Sequence, residues 1–538
     1  MVEHDDELVL VAGRVWTGAG EASGLAVAGG RIAAVGDEDT ARAAVGPGAR
    51  VVDLGGRTVV PGLVDSHIHL MRGGLTWNQE VRWADVPSLA AGMDMIRARA
   101  ATTPPGTWIA VVGGWHPGQF AEGRGPTRAD LDAAAPDHPA YVQRNFEEAV
   151  LNTAALEAAG FAASTEDPPM AMVERGDDGA PTGWVRGIGA FRAALGVMGM
   201  PDAADRLEGT RAMLRELNRL GLTGAIDPGG FGVVPEMYGP LFELWRRGER
   251  GFRTRLLVVP STPGQELDEL AQWARFIHPG FGDDYLSYLG FGEIVSFCAH
   301  DMEGVRPHHI DAGCADRVYE ASKLAAARGF AVHIHAILDE SVSAVLDAWE
   351  RVNEEFPVRD LRFALVHADA ISPRNLQRVR DLGVGIAVQD RLVFRAADSL
   401  ALWGEETLAQ APPLGSMLAA GIPVGAGTDA TVVSSHNPWR SLWWLVTGGS
   451  YDGAPPRAAE HRLSREQALR LYTAGSVWFS FEEDRRGTLE PGKWADLAVL
   501  SADYFAVPED QIPGITSVLT MVGGRVVHAA AEFSGMAP

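Results

Sequence analysis

Lysine, cysteine and long apolar runs are scarce in this sequence, and each scarcity excludes a class of structure. Only two lysines, Lys323 and Lys493, occur in 538 residues, so arginine supplies almost all the positive charge. The two cysteines, Cys298 and Cys314, cannot build a disulfide framework, which fits a reducing compartment. No apolar run approaches the ~20 residues that a membrane-spanning helix needs. A disulfide-rich or membrane-spanning protein is therefore not expected.

Positive charge is limited as a whole. The chain carries 46 lysine and arginine residues against 70 aspartate and glutamate residues, a formal net charge of −24. Nucleic acids and anionic membrane surfaces are therefore poor partners. Residues 1–7 are acidic where a signal peptide would be basic. These features predict a cytoplasmic protein without nucleic-acid or membrane partners.

The hydrophobic pattern predicts an α/β protein in three parts. Residues 61–485 alternate apolar strands with helical stretches, which is typical of a (β/α)8 barrel with its site at the carboxyl ends of the strands. Residues 75–200 are too many for a βα connection and predict an inserted α/β subdomain. The short strands of residues 1–60 and of residues 486–538 cannot close separate cores, so we expect one composite β-sandwich.

Eight stretches are candidates for the barrel strands. They are apolar, short and separated by helical patterns. The predicted strands are residues 62–69, 221–227, 254–259, 289–295, 330–335, 362–367, 384–388 and 422–427.

Two histidines lie in the first predicted barrel strand. Residues i and i+2 of a strand point the same way, so His67 and His69 project together, which suits a metal ion held by two imidazoles. On spacing alone, an equal alternative is a pair of polar residues hydrogen-bonded to the backbone at a strand end.

Four later strands supply further candidate ligands. Glu293 interrupts an apolar strand, which is costly unless the carboxylate is metal-bound or paired with an arginine. His333 and His335 share one face of their strand, and spacing alone allows both as ligands. His367 and Asp429 end two other strands, although a lone aspartate there is most often a helix N-cap. The set His67, His69, Glu293, His335, His367 and Asp429 predicts a catalytic metal site. Histidines without strand-end placement are interpreted as loop or surface residues: His116, His138, His300, His308, His309 and His436.

Several motifs carry a family resemblance that covers essentially the whole chain. They are Pro-Gly-Leu-Val-Asp-Ser-His-Ile-His at 61–69, Pro-Thr-Arg-Ala-Asp-Leu-Asp at 126–132, Gly-Thr-Asp-Ala at 427–430 and Gly-Thr-Leu-Glu-Pro-Gly-Lys-Trp-Ala-Asp at 487–496. The sequence resembles the metal-dependent amidohydrolase superfamily, in the amidohydrolase-3 branch that includes N-substituted formamide deformylases. The family pattern His-Ala-Ile-(Gly)-Asp favours His335 over His333. We therefore expect His333 to lie deeper in the barrel, as a core histidine with satisfied hydrogen bonds. Leu338 replaces the usual glycine, and Val366 replaces the glutamate that usually precedes the histidine at position 367.

The resemblance implies a metal-dependent hydrolase of small molecules. It would cleave a C–N bond of an amide, formamide or cyclic amide by attack of metal-bound hydroxide, with Asp429 as general base and acid. His367 or His335 would stabilise the oxyanion. Ester or lactone hydrolysis, deamination or another non-amidase reaction at the same site is the alternative, and a non-catalytic scaffold is a third. The histidine-rich shell favours zinc, with iron, manganese and nickel left open.

The scarcity of lysine bears on the number of metal ions. Many dinuclear relatives bridge two metals with a carboxylated lysine on the strand where Glu293 lies. Lys323 falls in a helical stretch and Lys493 in the C-terminal β unit, so we expect Glu293 to bridge. The alternative is one metal on His67, His69, His335 and Asp429, with His367 polarising the substrate. The resemblance also suggests a homodimer.

Overall fold

The N-terminal part of the chain is a set of short strands joined by tight turns. The structure is a computed structural model that describes residues 7–163 and 165–537. Gly29 and Gly30 both have positive φ, which lets the chain reverse between two strands. The elements are β1 (Leu8–Val11), β2 (Arg14–Trp16), β3 (Glu21–Ala22), β4 (Gly24–Ala28), β5 (Arg31–Gly36), α1 (Glu38–Ala43), β6 (Arg50–Asp53) and β7 (Thr58–Pro61).

A second sheet interrupts the barrel after its first strand. Its strands lie in the order Met172–Arg175, Pro181–Arg186, Glu148–Leu151, Ala140–Gln143 and Ile109–Val112, and an apolar cluster packs on each side of it. The elements in this part are β8 (Leu63–Asp65), α2 (Leu70–Thr76), α3 (Leu89–Thr102), β9 (Ile109–Val112), α4 (Arg128–Ala134), β10 (Ala140–Gln143), β11 (Glu148–Leu151), α5 (Thr153–Ala158), β12 (Met172–Arg175), β13 (Pro181–Arg186) and α6 (Ile188–Met198).

The rest of the barrel alternates strands and helices. Its elements are α7 (Ala203–Arg219), β14 (Leu222–Asp227), α8 (Gly239–Arg246), β15 (Arg253–Val258), α9 (Glu266–Phe276), β16 (Leu286–Phe291), α10 (Ala312–Ala327), β17 (Ala331–Ala336), α11 (Asp339–Asn353), β18 (Ala364–His367), α12 (Pro373–Leu382), β19 (Gly385–Gln389), α13 (Leu392–Gln410), α14 (Leu414–Ala419), β20 (Val424–Gly427) and α15 (Pro438–Thr447). The chain ends with α16 (Arg465–Arg470), α17 (Ser476–Trp478), β21 (Leu497–Leu500), β22 (Ser517–Val522) and β23 (Arg525–Ala529).

Eight parallel strands form the barrel, as the sequence predicts. Their order is β8-β14-β15-β16-β17-β18-β19-β20. The first and last strands meet, because Ser66 N donates to Ala426 O at 3.0 Å and Asp429 N donates to His67 O at 2.8 Å. All eight carboxyl ends therefore open at one mouth, where barrel enzymes carry their sites.

Two strands end earlier than predicted. The first stops at Asp65 rather than at residue 69, because the Asp65 carboxylate accepts N–H groups from His67 and Thr428 and turns the chain. The fourth is Leu286–Phe291 rather than 289–295, so Glu293 lies just beyond the strand. Ile294 and Val295 are buried outside the strand, so the apolar run indicated burial rather than strand.

The two chain ends meet in one sheet. β21 pairs antiparallel with β7, with Ala498 opposite Val60, in a six-stranded sheet of order β23-β22-β21-β7-β2-β3. The four-stranded sheet β5-β4-β1-β6 shares an apolar cluster with it that includes Leu25 and Leu519. This arrangement is compatible with a composite sandwich, while the boundaries assigned to the three parts stay predictions.

The two cysteines are bonded to each other. Cys298, in a short 3-10 helix (Phe297–Ala299), forms a disulfide with Cys314 in the first turn of α10. One crosslink is not a framework, but it removes the support that cysteine usage lent to a reducing compartment. Among the described residues, no helix combines the length and apolarity needed to cross a membrane.

Candidate metal centre

Six side chains converge at the mouth of the barrel, and they are the six that the sequence singled out. All are buried: His67, His69, Glu293, His335, His367 and Asp429. The His69 Nε2 atom lies 3.0 Å from Asp429 Oδ1, and His67 Nε2 lies 3.3 Å from Glu293 Oε2. His335 Nδ1 lies 3.7 Å from Glu293 Oε2, and His367 Nε2 lies 3.9 Å from Asp429 Oδ2. The structure thus brings together residues that are up to 362 positions apart in the sequence.

Hydrogen bonds fix which nitrogen of His69 and of His335 faces the centre. His69 Nδ1 donates to Gly229 O at 2.8 Å, so its Nε2 faces Asp429 and Glu293. His335 Nε2 donates to Asp301 Oδ1 at 2.8 Å, which leaves Nδ1 facing inward. His367 and Asp429 have φ of 73° and 56°, a left-handed conformation that non-glycine residues adopt mainly where the surrounding structure demands it.

The charges of this cluster call for a cation. Burial opposes protonation of His67, but the carboxylates of Asp429 and Glu293 raise the pKa of His67 to about 10. Burial is likewise outweighed at His335, where Asp301 and Glu293 raise the pKa to about 9. The neighbouring imidazoles hold the pKa values of Glu293 and Asp429 well below their usual range, against burial. A divalent cation would supply the same positive charge without the protons.

The donor atoms also fit a metal. Neither ring nitrogen of the buried His67 has a hydrogen-bond partner among the described residues. Three groups have donor atoms within 4.8 Å of one another: His67, His69 and Glu293; His67, His367 and Asp429; Glu293, His300 and His335. Imidazole nitrogens with one or two carboxylate oxygens suit zinc and related divalent ions.

Two members of the site were not recognised from the sequence. His300, interpreted as a loop or surface residue, stacks on His335 with ring centroids 3.7 Å apart. Asp301 holds His335 and also accepts the N–H groups of Ile337 and Leu338. Both lie in an irregular segment that follows Glu293, where no periodic pattern marks them. Their only sequence signal is proximity to Glu293 in the chain.

Other histidines fall outside the cluster. His138 is buried rather than at the surface, and its Nδ1 donates to Thr107 O at 3.0 Å. His436 stacks edge-on against Trp77, away from the six. His333 lies inside the barrel, against Phe479, and both its ring nitrogens lack partners among the described residues. It is a core histidine, as expected, but not a hydrogen-bonded one.

Asp301 gives a test of how His335 is positioned. The Asp301→Asn substitution would keep the shape of the side chain but weaken the hydrogen bond that orients the imidazole. We expect metal affinity to fall about 10- to 100-fold, measured by chelator competition. Asp316→Asn, at an exposed site on α10, is the control and should leave affinity unchanged. Equal affinity in the two variants would contradict this role.

Comparison with known proteins agrees with the family resemblance of the sequence. A sequence profile of the amidohydrolase family matches residues 50–528. The N-substituted formamide deformylase of Arthrobacter pascens is 27% identical over 528 residues, with 94% of each chain covered. The structure of an uncharacterized metal-dependent hydrolase from Pyrococcus furiosus has a TM-score of 0.64 at 26% identity, covering 93% of this chain and 100% of that one.

A second solved structure supports the fold. The uncharacterized metal-dependent hydrolase from Pyrococcus horikoshii has a TM-score of 0.66 at 23% identity, with 94% of this chain and 99% of that chain covered. Since the family profile spans most of the chain and the barrel mouth carries the predicted histidines and carboxylates, the chain belongs to the amidohydrolase family of metal-dependent hydrolases.

Proposed function

We propose that the protein hydrolyses a C–N bond of a small amide, formamide or cyclic amide at this centre. The observation that carries the proposal is the convergence of six buried ligand-type side chains at the barrel mouth. The full-length similarity to a formamide deformylase supports the reaction class. The products would be a carboxylate and an amine, or one molecule carrying both groups when the amide is cyclic.

The six side chains divide into ligands and proton carriers. His67, His69, His335 and Asp429 would hold a divalent metal, zinc by the donor set, and Glu293 would bridge if two ions bind. The geometry supports bridging, since Oε1 of Glu293 faces His69 and Oε2 faces His67 and His335. When bound, such a metal lowers the pKa of water to near ~7 and polarises the carbonyl.

Proton transfer falls to Asp429. Its Oδ1 faces His69 and His67 and its Oδ2 faces His367, so the carboxylate lies between these imidazoles. It would accept the proton of the attacking water and pass it to the leaving nitrogen. His367, whose Nε2 lies 2.9 Å from His335 Nδ1, would stabilise the oxyanion.

A substrate panel tests the reaction class. Zinc-loaded protein would be offered N-benzylformamide, hydantoin, phenyl acetate, a simple lactone and adenine. We expect the highest kcat/KM, at least about 10⁴ M⁻¹ s⁻¹ for a preferred substrate, on the formamide or on the cyclic amide hydantoin. Chelation should lower it by about 100-fold or more, and zinc should restore it. Faster turnover of the ester, lactone or adenine would contradict the proposal.

Three finer statements stay predictions from the sequence. They are zinc as the metal, a homodimer and a cytoplasmic location. The Cys298–Cys314 disulfide weighs against the last of them, since cytosolic disulfides are uncommon.

A further inference from the structure

Arg72 is a cation at the edge of the centre that no described carboxylate neutralises by a direct ion pair. It lies in the first turn of α2, three residues after His69. Its buried Nε has no hydrogen-bond partner among the described residues. The guanidinium carbon lies 5.6 Å from the ring centroid of Phe146, which belongs to the turn between β10 and β11 of the inserted sheet.

Four carboxylates affect the pKa of Arg72, and each of them also contacts another group. Burial lowers the pKa of its guanidinium, and the carboxylates of Glu293 and Asp429 oppose that shift most strongly. Both face the imidazoles of the candidate centre, and a bound metal would claim them further. Asp227 accepts N–H groups from Met71 and Gly229 at 2.7 and 2.8 Å. Glu80 lies 3.3 Å from Arg82. Among the described residues, none of these four carboxylates forms an ion pair with Arg72.

Two other buried arginines, Arg391 and Arg395, have carboxylates within ion-pair distance. Arg391 pairs with Glu303 at 2.5 Å, and Arg395 lies 3.2 Å from the same carboxylate. A half-buried cation without an ion-pair partner is costly, and an anion that binds beside it offsets that cost. Arg72 is therefore suited to bind an anionic ligand.

The chemistry of the guanidinium selects the anion. Its planar fork donates two parallel hydrogen bonds to a carboxylate, and a neighbouring aromatic ring holds such a plane in place. We propose that Arg72 binds a carboxylate carried by the substrate, so that the preferred substrates are amides or formamides with a free carboxylate away from the scissile bond. This inference rests on the proposed C–N hydrolysis.

Matched substrates test the inference. Zinc-loaded enzyme would be assayed with 3-formamidopropanoate, 4-formamidobutanoate and 4-(formamidomethyl)benzoate, each beside its neutral carboxamide counterpart. We expect at least one carboxylate to have a kcat/KM about 10- to 100-fold above its counterpart. Arg72→Met should lower that ratio by about the same factor, and Arg72→Lys should restore part of it. Arg215→Met, an exposed control on α7, should leave the ratio unchanged.

A binding measurement separates this inference from the proposed reaction. Calorimetric titration of the zinc-loaded protein would compare glutarate with its monoamide, which keeps one carboxylate and replaces the other by a neutral group. We expect Arg72→Met to weaken glutarate about 10- to 100-fold and the monoamide less. Suppose that no formamide is cleaved but Arg72→Met still weakens glutarate more than its monoamide. The proposed reaction is then wrong, while the anion site is supported.

Several outcomes would overturn the anion site. They are a wild-type preference for the neutral substrates, equal losses of glutarate and monoamide, or a substrate ratio that Arg72→Met does not move. Equal losses together with a lower zinc content would mean that Arg72 only balances the charge of Glu293 and Asp429. If Arg72→Met does not fold, as judged by its melting curve, Arg72→Gln takes its place in the same comparison.

Discussion

Replacing Asp429 by asparagine is expected to lower kcat by about 10²- to 10⁴-fold while metal content stays near the wild-type value. Asparagine keeps the size of the side chain and an oxygen that can face the metal, but it cannot carry the transferred proton. Asp429 Oδ1 lies 3.0 Å from His69 Nε2, so a ligand oxygen at that point remains in place. The measurement is steady-state turnover beside metal analysis of the same preparation.

Asp347→Asn is the control for this experiment. Asp347 is exposed on α11 and pairs only with Arg378 among the described residues. Its substitution should change kcat by less than about a factor of 2, since surface changes of this kind are nearly neutral. Retained turnover in Asp429→Asn would rule out the proton-transfer role. A parallel loss of metal and turnover would make Asp429 a ligand first and leave its proton role without support.

The ligand set could be read from the sequence because of barrel geometry. Parallel strands place their carboxyl ends at one mouth, so residues at the ends of apolar runs meet even when they are far apart in the chain. His367 and Asp429 were located in this way. His67 and His69 converge too, although the strand stops at Asp65 and the alternation on which their pairing was argued does not extend to them.

The features that could not be predicted from the sequence lie in irregular backbone or depend on contacts between distant residues. His300 and Asp301 belong to a loop between β16 and α10, and loops carry no periodic signal. The disulfide between Cys298 and Cys314 closes the same loop, and two cysteines in a sequence do not say whether they meet. The isolation of Arg72 is a property of its surroundings, since the sequence shows the arginine but not the missing partner.

The number of metal ions in the centre depends on whether Glu293 bridges two of them. Its Oε2 lies 3.3 Å from His67 Nε2 and 3.7 Å from His335 Nδ1, and its Oε1 lies 3.7 Å from His69 Nε2. One carboxylate thus faces three imidazoles of the centre. With the two lysines at positions 323 and 493, this strand end has no lysine to bridge in its place.

Glu293→Ala is therefore expected to lower the metal content from about two ions per chain to one or none, with a loss of turnover of at least about 10²-fold. Plasma mass spectrometry of metal-loaded, desalted protein measures the ions, and the same preparations give turnover. Glu236→Ala, outside the centre, is the control, since Glu236 is exposed in a 3-10 helix (Pro235–Tyr238). Two ions in the variant would show that Glu293 does not bridge.

The remaining outcomes assign Glu293 differently. One ion in both proteins would favour a mononuclear centre on His67, His69, His335 and Asp429, with Glu293 beside the ligands and not between two ions. In that case Glu293→Gln should keep the metal and lose less activity than Glu293→Ala, because the amide fills the same space beside the four ligands. For a bridging carboxylate, Glu293→Gln should lose the second ion as Glu293→Ala does, because a neutral amide oxygen is a weak bridge between two cations.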